Sequence, residues 1–242
     1  MDGLLTLVVP EVLDEGSLAA LEARLGELSS LPAGPLCLRG GPRHFCRGMS
    51  FAALAVGAVD AGPALRRFAR VVGKLRSAAR PTLAVVEGEA LGGGVGLLAA
   101  CDRVIATPDA SVGLPEAVLG VLPGVILPVL AERMSAQKLR LLALDGLARD
   151  ARWAERAGLF DDVVPHDQLQ QAVRRAARSL SRVSAERVVG LRTWSEEARR
   201  LPIDQALLRG ADLTSDLLHD EAVRGSLRRF VEEGVAPWEA SA

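Results

Sequence analysis

The chain has 242 residues, of which 49% are hydrophobic, and its formal net charge at pH 7 is −1. This length fits one domain with a C-terminal extension, and the apolar content is ample for a core of that size. The near-zero charge gives no indication of nucleic-acid binding, and no apolar run reaches the length of a membrane span. Without the features of a signal peptide, and with three scattered cysteines, we expect a cytoplasmic protein with reduced thiols.

The N-terminal half alternates strands with helices. Strands are predicted at short, mostly apolar segments: residues 4–9, 36–39, 83–86 and 109–113. Helices are predicted where apolar residues recur at helical spacing or where an apolar run follows glycines: residues 17–28 with Ser17 as N-cap, 63–79 and 94–101. This alternation favours an α/β fold with parallel strand pairs.

The C-terminal half is predicted to be mainly helical. Residues 118–134 are apolar, but Gly120, Pro123, Gly124 and Pro128 break them into short pieces. The later pattern predicts helices at residues 136–144, 149–157, 169–180, 185–200, 203–218 and 221–233, with a short strand at 160–164. We divide the chain into a core, residues 1–195, and a C-terminal helical region, residues 196–242.

Residues 87–116 contain the groups from which we predict a chemical activity. Gly92, Gly93 and Gly94 follow a predicted strand and permit a turn in which backbone N–H groups can approach a ligand. Because a helix is predicted to begin there, those N–H groups favour negative charge. Glu116 ends the sequence Gly-Leu-Pro-Glu after the next strand. An oxyanion-binding turn and one carboxylate are the minimal equipment for proton chemistry beside a carbonyl.

Four segments resemble motifs of the crotonase (enoyl-CoA hydratase/isomerase) superfamily, in that family's order and spacing. They are FCRGM at 45–49, ALGGG at 90–94 with ACD at 100–102, GLPE at 113–116 with Gly120 and Pro123–Gly124, and Gln137–Lys138 with AERAGLFDDVV at 154–164. The resemblance covers about residues 4–200. It implies an α/β fold of the ClpP/crotonase type, a spiral of ββα repeats with a helical C-terminal trimerisation region.

A narrower resemblance concerns residues 113–138 and the segment FCRGMSF. Both look like the dehydratase-type crotonases encoded with bacterial polyketide synthases, which act in β-branching. The implied reaction is loss of water from a 3-hydroxy-3-methylglutaryl-like thioester on an acyl-carrier protein. Two alternatives stay open: a Δ3,Δ2 double-bond isomerase of enoyl-CoA, and a catalytically silent scaffold with the same fold.

The resemblance also implies roles for individual residues. The backbone N–H groups of Arg47 and Gly93 are expected to form an oxyanion hole that holds the enolate. Glu116 is expected to be the acid/base, with its pKa raised by apolar neighbours. Candidate substrate contacts complete the site: Arg43, His44, Met49, Ser50, Gly92, Gly96 and Leu119.

Two positions depart from the family pattern. Gly96 stands where the hydratases carry a second glutamate, so water activation by two carboxylates is excluded. Ser50 stands where an aspartate is usual, although its hydroxyl could still bind a substrate hydroxyl. Arg43, His44 and Arg47 are candidates for binding a substrate carboxylate or a phosphate, or they are solvated loop charges.

Other classes of site fit less well. Residues 94–99 satisfy the dinucleotide-binding pattern GxGxxA, but five extra residues, 87–91, follow the preceding strand before the glycines begin. The resemblance implies no metal or redox cofactor, a substrate carried as a CoA or phosphopantetheine thioester, and a homotrimer or hexamer. It does not choose between CoA and a carrier protein.

Overall fold

The computed structural model describes residues 4–31, 34–50, 60–236 and 238. The chain divides into two compact units, residues 1–181 and 182–242. The division that the sequence predicts after residue 195 stays a prediction. Within the described residues, no helix is long and apolar enough to cross a membrane.

The first unit contains the strands and seven of the described helices. Its strands are β1 (Leu5–Val8), β2 (Leu36–Arg39), β3 (His44–Cys46), β4 (Thr82–Val86), β5 (Glu89–Leu91), β6 (Arg103–Ala106), β7 (Ser111–Gly113), β8 (Arg149–Asp150) and β9 (Asp162–Val163). Its helices are α1 (Glu15–Ser29), α2 (Gly62–Arg76), α3 (Gly93–Ala99), α4 (Leu127–Arg133), α5 (Ala136–Asp145), α6 (Ala151–Ala157) and α7 (His166–Leu180).

The strands form two sheets, and from β2 to β7 consecutive strands alternate between them. The larger sheet has the order β1-β2-β4-β6-β9 and is parallel throughout. The smaller has the order β3-β5-β7-β8, in which only β8 is antiparallel to its neighbour. The strand pairs β2–β3, β4–β5 and β6–β7 each contribute one strand to each sheet, and helices follow them. This is the predicted spiral of ββα repeats.

The central strands of the larger sheet, β2, β4 and β6, are largely buried on both faces, which explains their apolar runs, whereas the edge strand β1 exposes Val8. One face packs against α7 through Cys37, Leu83, Val85 and Ile105. Leu38, Ala84, Val86 and Val104, among others, point to the opposite face, where they join the main hydrophobic core. Consecutive strand residues point to opposite faces of the sheet. In a strand covered on both faces, therefore, side chains on both faces are mostly apolar.

The three cysteines are packed in this interior. All are buried and unpaired. Burial raises the pKa of the Cys37 and Cys46 thiols to about 11, and it raises the pKa of Cys101 as well. These thiols are therefore protonated at neutral pH, as expected of small packed side chains.

The second unit is helical in its described part. It comprises α8 (Ala185–Ala198), α9 (Ile203–His219) and α10 (Glu221–Glu233). Ser184 caps α8 and Asp220 caps α10 with their side-chain oxygens. A Cβ at Gly210 would lie 3.1 Å from the Trp194 ring, so the absence of a side chain there lets α9 approach the indole closely. The expectation that this region mediates trimerisation stays a prediction.

Most predicted elements are present, with boundary shifts of a few residues. The first helix begins earlier than predicted, because Asp14 is its N-cap and Ser17 completes a capping box from the third helical position. The predicted helix at residues 149–157 is wrong in its first two residues, which form strand β8, and the strands β5 and β6 were not predicted. Glu89–Leu91 and Arg103–Ala106 are three and four residues long, and both lie in stretches where periodicity is too short to be read.

Candidate active site

A cavity of about 740 Å³ opens beside the glycine turn of the first unit. Its wall is formed by residues from four parts of the chain: residues 45–49, which we call the first oxyanion segment, then α2, the glycine turn at residues 92–94, and the segment after Glu116. The lining residues are Arg47, Met49, Ala61, Leu65, Phe68, Gly92, Gly93, Glu116, Leu119 and residues 121–126. The wall is mostly apolar, which is typical of a pocket for a small organic ligand.

Glu116 is the buried carboxyl group of this cavity. Its side chain is 8% exposed, and its Oε2 atom is buried without a hydrogen-bond partner among the described residues. Loss of solvation raises the pKa of Glu116 above its ordinary value, against a weaker opposing effect of its own backbone N–H. An acid with a raised pKa in an apolar wall is suited to exchange protons near neutral pH.

The glycine turn brings a backbone edge against this carboxyl group. The N–H of Gly92 donates to the carbonyl oxygen of Gly113 over 2.9 Å, which ties the turn to the strand that leads to Glu116. A Cβ at Gly92 would lie 2.5 Å from Glu116 Oε1. Gly92 also has φ +48°, a backbone conformation that few other residues adopt. Glycine is therefore required here twice, for conformation and for space.

The first oxyanion segment lies directly against the same turn. Gly48 has φ +78°, and a Cβ there would lie 2.9 Å from the Gly93 nitrogen and 2.8 Å from the Leu91 oxygen. Leu13 forms an isolated parallel bridge with Met49. This bridge holds the segment through two hydrogen bonds, from Leu13 N–H to Gly48 O and from Ser50 N–H to Leu13 O.

The expected role of the Arg47 backbone needs correction. Its N–H donates to the carbonyl oxygen of Glu11 over 2.7 Å and so is already engaged. By contrast, the N–H groups of Met49 and Gly93 make no hydrogen bond within the part of the chain that the structure describes. Met49 and Gly93 both line the cavity. Their two N–H groups, rather than those of Arg47 and Gly93, are available to a ligand.

Gly96 lies outside the cavity, and an apolar side chain fills the space in front of it. A Cβ at Gly96 would lie 2.3 Å from Cγ2 of Ile126 and 3.0 Å from its Cβ. Ile126 is buried and lines the cavity. A second carboxylate at position 96 therefore has no room unless Ile126 moves. The structure thus explains why this departure from the hydratase pattern is accommodated.

The other predicted contacts divide into two groups. Met49, Gly92 and Leu119 line the cavity, whereas Arg43, His44, Ser50 and Gly96 do not. His44 lies between two carboxylates instead, with its Nδ1 3.5 Å from Glu89 and its Nε2 3.9 Å from Glu11. His166 hydrogen-bonds the Asp109 carboxylate, and His219 hydrogen-bonds the Ser215 carbonyl oxygen.

Several lining residues were missed by sequence reasoning. Phe68 and Leu65 belong to the apolar face of α2, which periodicity does predict. The contact of Phe68 with the glycine turn is a tertiary feature, since a Cβ at Gly93 would lie 3.3 Å from the Phe68 ring. Ile126 carried no signal, because it stands in a Pro- and Gly-rich stretch without a clear period.

Comparison with known proteins identifies the family. The sequence matches the family described as "Enoyl-CoA hydratase/isomerase" over residues 30–241. This chain belongs to that family. The solved structure of AtuE from Pseudomonas aeruginosa has a TM-score of 0.85, is 26% identical and covers 99% of this chain and 97% of its own. Human enoyl coenzyme A hydratase domain-containing protein 3, at 20% identity, has a TM-score of 0.87 over 96% and 95% of the two chains. The predicted crotonase fold is confirmed.

Curated relatives in the family have several activities in their names. A probable enoyl-CoA hydratase from Mycobacterium bovis is 44% identical over 114 residues, 47% of this chain and 44% of that protein. A mevalonyl-coenzyme A hydratase from Aspergillus fumigatus is 34% identical over 176 residues, 69% and 63% of the two chains. A carnitinyl-CoA dehydratase from Proteus mirabilis is 31% identical over 206 residues, 82% and 78%. The chain thus spans less than two thirds of the first two of these relatives.

Proposed function

We propose that this protein removes water from a 3-hydroxyacyl thioester, with Glu116 as the single acid/base and the N–H groups of Gly93 and Met49 as the oxyanion hole. The observation that carries the proposal is the buried Glu116 carboxyl group in the wall of the cavity beside Gly92 and Gly93, whose Oε2 atom has no hydrogen-bond partner among the described residues. A scaffold protein has no need of an unsatisfied carboxyl group, which costs stability.

The reaction uses these groups in two steps. Ionised Glu116 takes the proton from C2, and the electron pair moves into the thioester carbonyl to give an enolate oxygen. The two N–H groups stabilise that negative charge, and loss of one such donor typically costs about 100- to 1,000-fold in rate. The enolate then re-forms the carbonyl and expels the C3 hydroxyl. That hydroxyl takes the proton from Glu116 and leaves as water, which returns the carboxylate and yields an α,β-unsaturated thioester.

The raised pKa of Glu116 serves both steps. A carboxylate in an apolar wall is a stronger base than a solvated one, and once protonated it can donate to the leaving hydroxyl. Among the described residues that line the cavity, Glu116 is the one carboxylic acid, and Ile126 fills the space in front of Gly96, where hydratases carry a second. One group must therefore act as base and as acid in turn.

The substrate class that we propose is a β-branched 3-hydroxyacyl thioester like 3-hydroxy-3-methylglutaryl, on an acyl-carrier protein of polyketide biosynthesis. The resemblance of residues 113–138 to the β-branching dehydratases supports it. The names of two relatives also support it, because mevalonyl and carnitinyl groups both carry a hydroxyl at C3. The proposal includes a homotrimer or hexamer as the assembled form.

A second candidate function is isomerisation of an enoyl thioester. It is favoured by the same single carboxylate in an apolar wall, because one base can take a proton from one carbon and return it to another. The family description includes both reaction types.

Mass spectrometry separates these activities. The purified protein is incubated with a 3-hydroxy-3-methylglutaryl thioester on an acyl-carrier protein, beside the Glu116→Gln variant. Loss of one water with the wild type alone supports the dehydratase and the role of Glu116. Without a mass change, incubation with an enoyl thioester in D₂O follows: deuterium uptake indicates an isomerase, and its absence indicates a silent scaffold.

A further inference from the structure

Arg47 gives the cavity its second ionisable side chain. Among the described residues that line the cavity, Arg47 and Glu116 alone carry charged groups, and they have opposite signs. Glu116 is buried, whereas Arg47 is exposed. The apolar wall therefore has one acidic point in its interior and one cationic residue at its solvent side.

No residue in the described part of the chain forms a hydrogen bond or an ion pair with the Arg47 guanidinium. Within the described part of the chain it has no carboxylate within the 4.0 Å of an ion pair, although Arg67, Arg70 and Lys74 all share Glu22. A lone arginine in contact with a ligand cavity differs from these surface pairs, because its charge is available to an incoming anion.

Backbone contacts fix the position of the Arg47 main chain, from which the guanidinium extends. The N–H of Arg47 donates to Glu11 O over 2.7 Å, and the next residue, Gly48, abuts the Gly93 nitrogen. Arg47 is two residues from Met49, a separation of at most about 7 Å along the chain. A thioester carbonyl held by the N–H groups of Met49 and Gly93 therefore places the remainder of a short acyl chain within reach of the Arg47 side chain.

We propose that Arg47 selects acyl thioesters whose acyl chain ends in a carboxylate. This inference rests on the proposed function and narrows its substrate to a dicarboxylic acyl group. The guanidinium binds a carboxylate in a bidentate geometry that a neutral ester or methyl group cannot match. Pairing at Arg47 also keeps the substrate carboxylate away from Glu116, whose ionised form a second anion would disfavour. The same guanidinium chemistry fits a phosphate of the carrier arm, so the test separates the two sources.

Binding to catalytically inactive protein provides the test. Calorimetry measures the Kd of 3-hydroxy-3-methylglutaryl pantetheine thioester and of its methyl ester, with Glu116→Gln alone and with Glu116→Gln/Arg47→Gln. Pantetheine carries no phosphate. We expect the double variant to bind the acid about 10- to 100-fold more weakly, the usual range for one charged hydrogen-bonding pair, and the ester equally well. Arg140→Gln, a charge removal on the exposed side of α5, is the matched control and leaves both Kd values unchanged.

Two results would overturn the inference. Equal weakening of acid and ester shows that Arg47 does not recognise the carboxylate. Weakening that occurs only with phosphopantetheine thioesters, whatever the acyl group, assigns Arg47 to the phosphate. Because the readout is binding, it stands apart from the proposed reaction. Failure of the wild type to dehydrate the acid or to exchange its C2 proton in D₂O refutes the reaction alone.

Discussion

The Glu116 carboxyl group lies against the backbone of Gly92, so closely that a Cβ at residue 92 would be 2.5 Å from Oε1 and 3.2 Å from Cδ. This contact positions the acid/base next to the turn that presents the Gly93 N–H group. The carboxyl group is held by packing on a glycine rather than by a hydrogen bond to Oε2. Small changes on the glycine side are therefore expected to move the reacting group.

Gly92→Ala tests this contact. The added methyl group must displace the carboxyl group, and a misplacement of about 1 Å can cost about 100-fold in rate. The backbone conformation, φ +48° and ψ −117°, is sparsely populated outside glycine and adds about 1–3 kcal/mol of strain for alanine. We expect kcat to fall about 100-fold while the variant still folds. The measurement is steady-state turnover together with urea unfolding.

Gly73→Ala is the matched control for that substitution. Gly73 lies within α2, and a Cβ there meets nothing within 4 Å. Alanine is favoured over glycine inside a helix by about 0.5–1 kcal/mol. The control should therefore be slightly more stable than wild type and fully active. Wild-type turnover by Gly92→Ala would show that the carboxyl position is not set by this contact.

The raised pKa of Glu116 predicts a pH-dependent gain of stability in Glu116→Gln. Between the ordinary value of 4.5 and the raised pKa, the native protein holds a proton that the unfolded chain has released. The free energy of unfolding contributed by this group therefore falls as pH rises through that window. Above it, the wild type carries the full cost of a buried carboxylate and glutamine does not.

The comparison is made by urea unfolding of both proteins at pH 4 and pH 7.5. We expect the variant to be the more stable protein at pH 7.5 and the difference to shrink toward pH 4. In activity, the wild-type rate should rise with pH toward the raised pKa, because the ionised form is the base. A variant that is less stable than wild type at pH 7.5 would mean that Glu116 has an ionic partner in solution.

The chain reveals its scaffold more readily than its site. Buried parallel strands can be predicted from their apolar runs. The Gly92–Gly94 turn and Glu116 can be predicted as site residues because they follow predicted strands. Which N–H groups are free is a different matter. The Arg47 N–H does not have its predicted role in the oxyanion hole, because it donates its hydrogen bond to the Glu11 carbonyl oxygen. No local pattern in residues 45–49 contains that information.

Some motif residues serve the fold rather than the reaction. Asp102 accepts hydrogen bonds from the Thr82 N–H over 2.7 Å and the Thr82 hydroxyl over 3.0 Å, which joins the end of α3 to the start of β4. Asp161 accepts from the Val104 N–H over 2.7 Å and from Arg133 over 2.6 Å. A motif alone does not separate such structural residues from catalytic ones, whereas their hydrogen-bond partners do.

Asp102→Ala is expected to lower stability without changing the chemistry. It leaves the N–H and hydroxyl of Thr82, which is fully buried, without this acceptor. Hydrogen bonds to a charged group contribute about 1.5–3 kcal/mol each. Urea unfolding should show that loss, and kcat of the folded fraction should stay within about twofold of wild type, because the residue does not line the cavity.

Asp109→Ala is the control for Asp102→Ala. Asp109 pairs with His166, but its side chain is 79% exposed. An exposed ion pair contributes about 0–1 kcal/mol. If both substitutions lower the free energy of unfolding equally, the Asp102 hydrogen bonds with Thr82 contribute no more than an exposed ion pair.

The packing of Ile126 on Gly96 predicts a coupling between the two positions. Gly96→Ala alone places a methyl group 2.3 Å from Cγ2 of Ile126, whose β-branched side chain has few rotamers to move into. Overpacking of this kind typically costs about 1–3 kcal/mol. Ile126→Ala removes Cγ2 and leaves a cavity, at a typical cost of about 2–5 kcal/mol. In the double variant the closest atom to the added methyl group is the Cβ of residue 126 at 3.0 Å, which relieves most of the clash, so the two costs should not add.

A double-mutant cycle in urea measures this coupling. We expect the double variant to be more stable than the sum of the single losses by about 0.5–3 kcal/mol, the usual range for residues in contact. The same cycle bears on mechanism, because Gly96→Glu should fail to create a hydratase while Ile126 is present. Combined with Ile126→Ala, the new carboxylate has space beside the cavity, and addition of water to an enoyl thioester becomes the activity to measure. Additive losses would show that the Ile126 side chain does not close position 96, and the single-carboxylate character of the site would then need another cause.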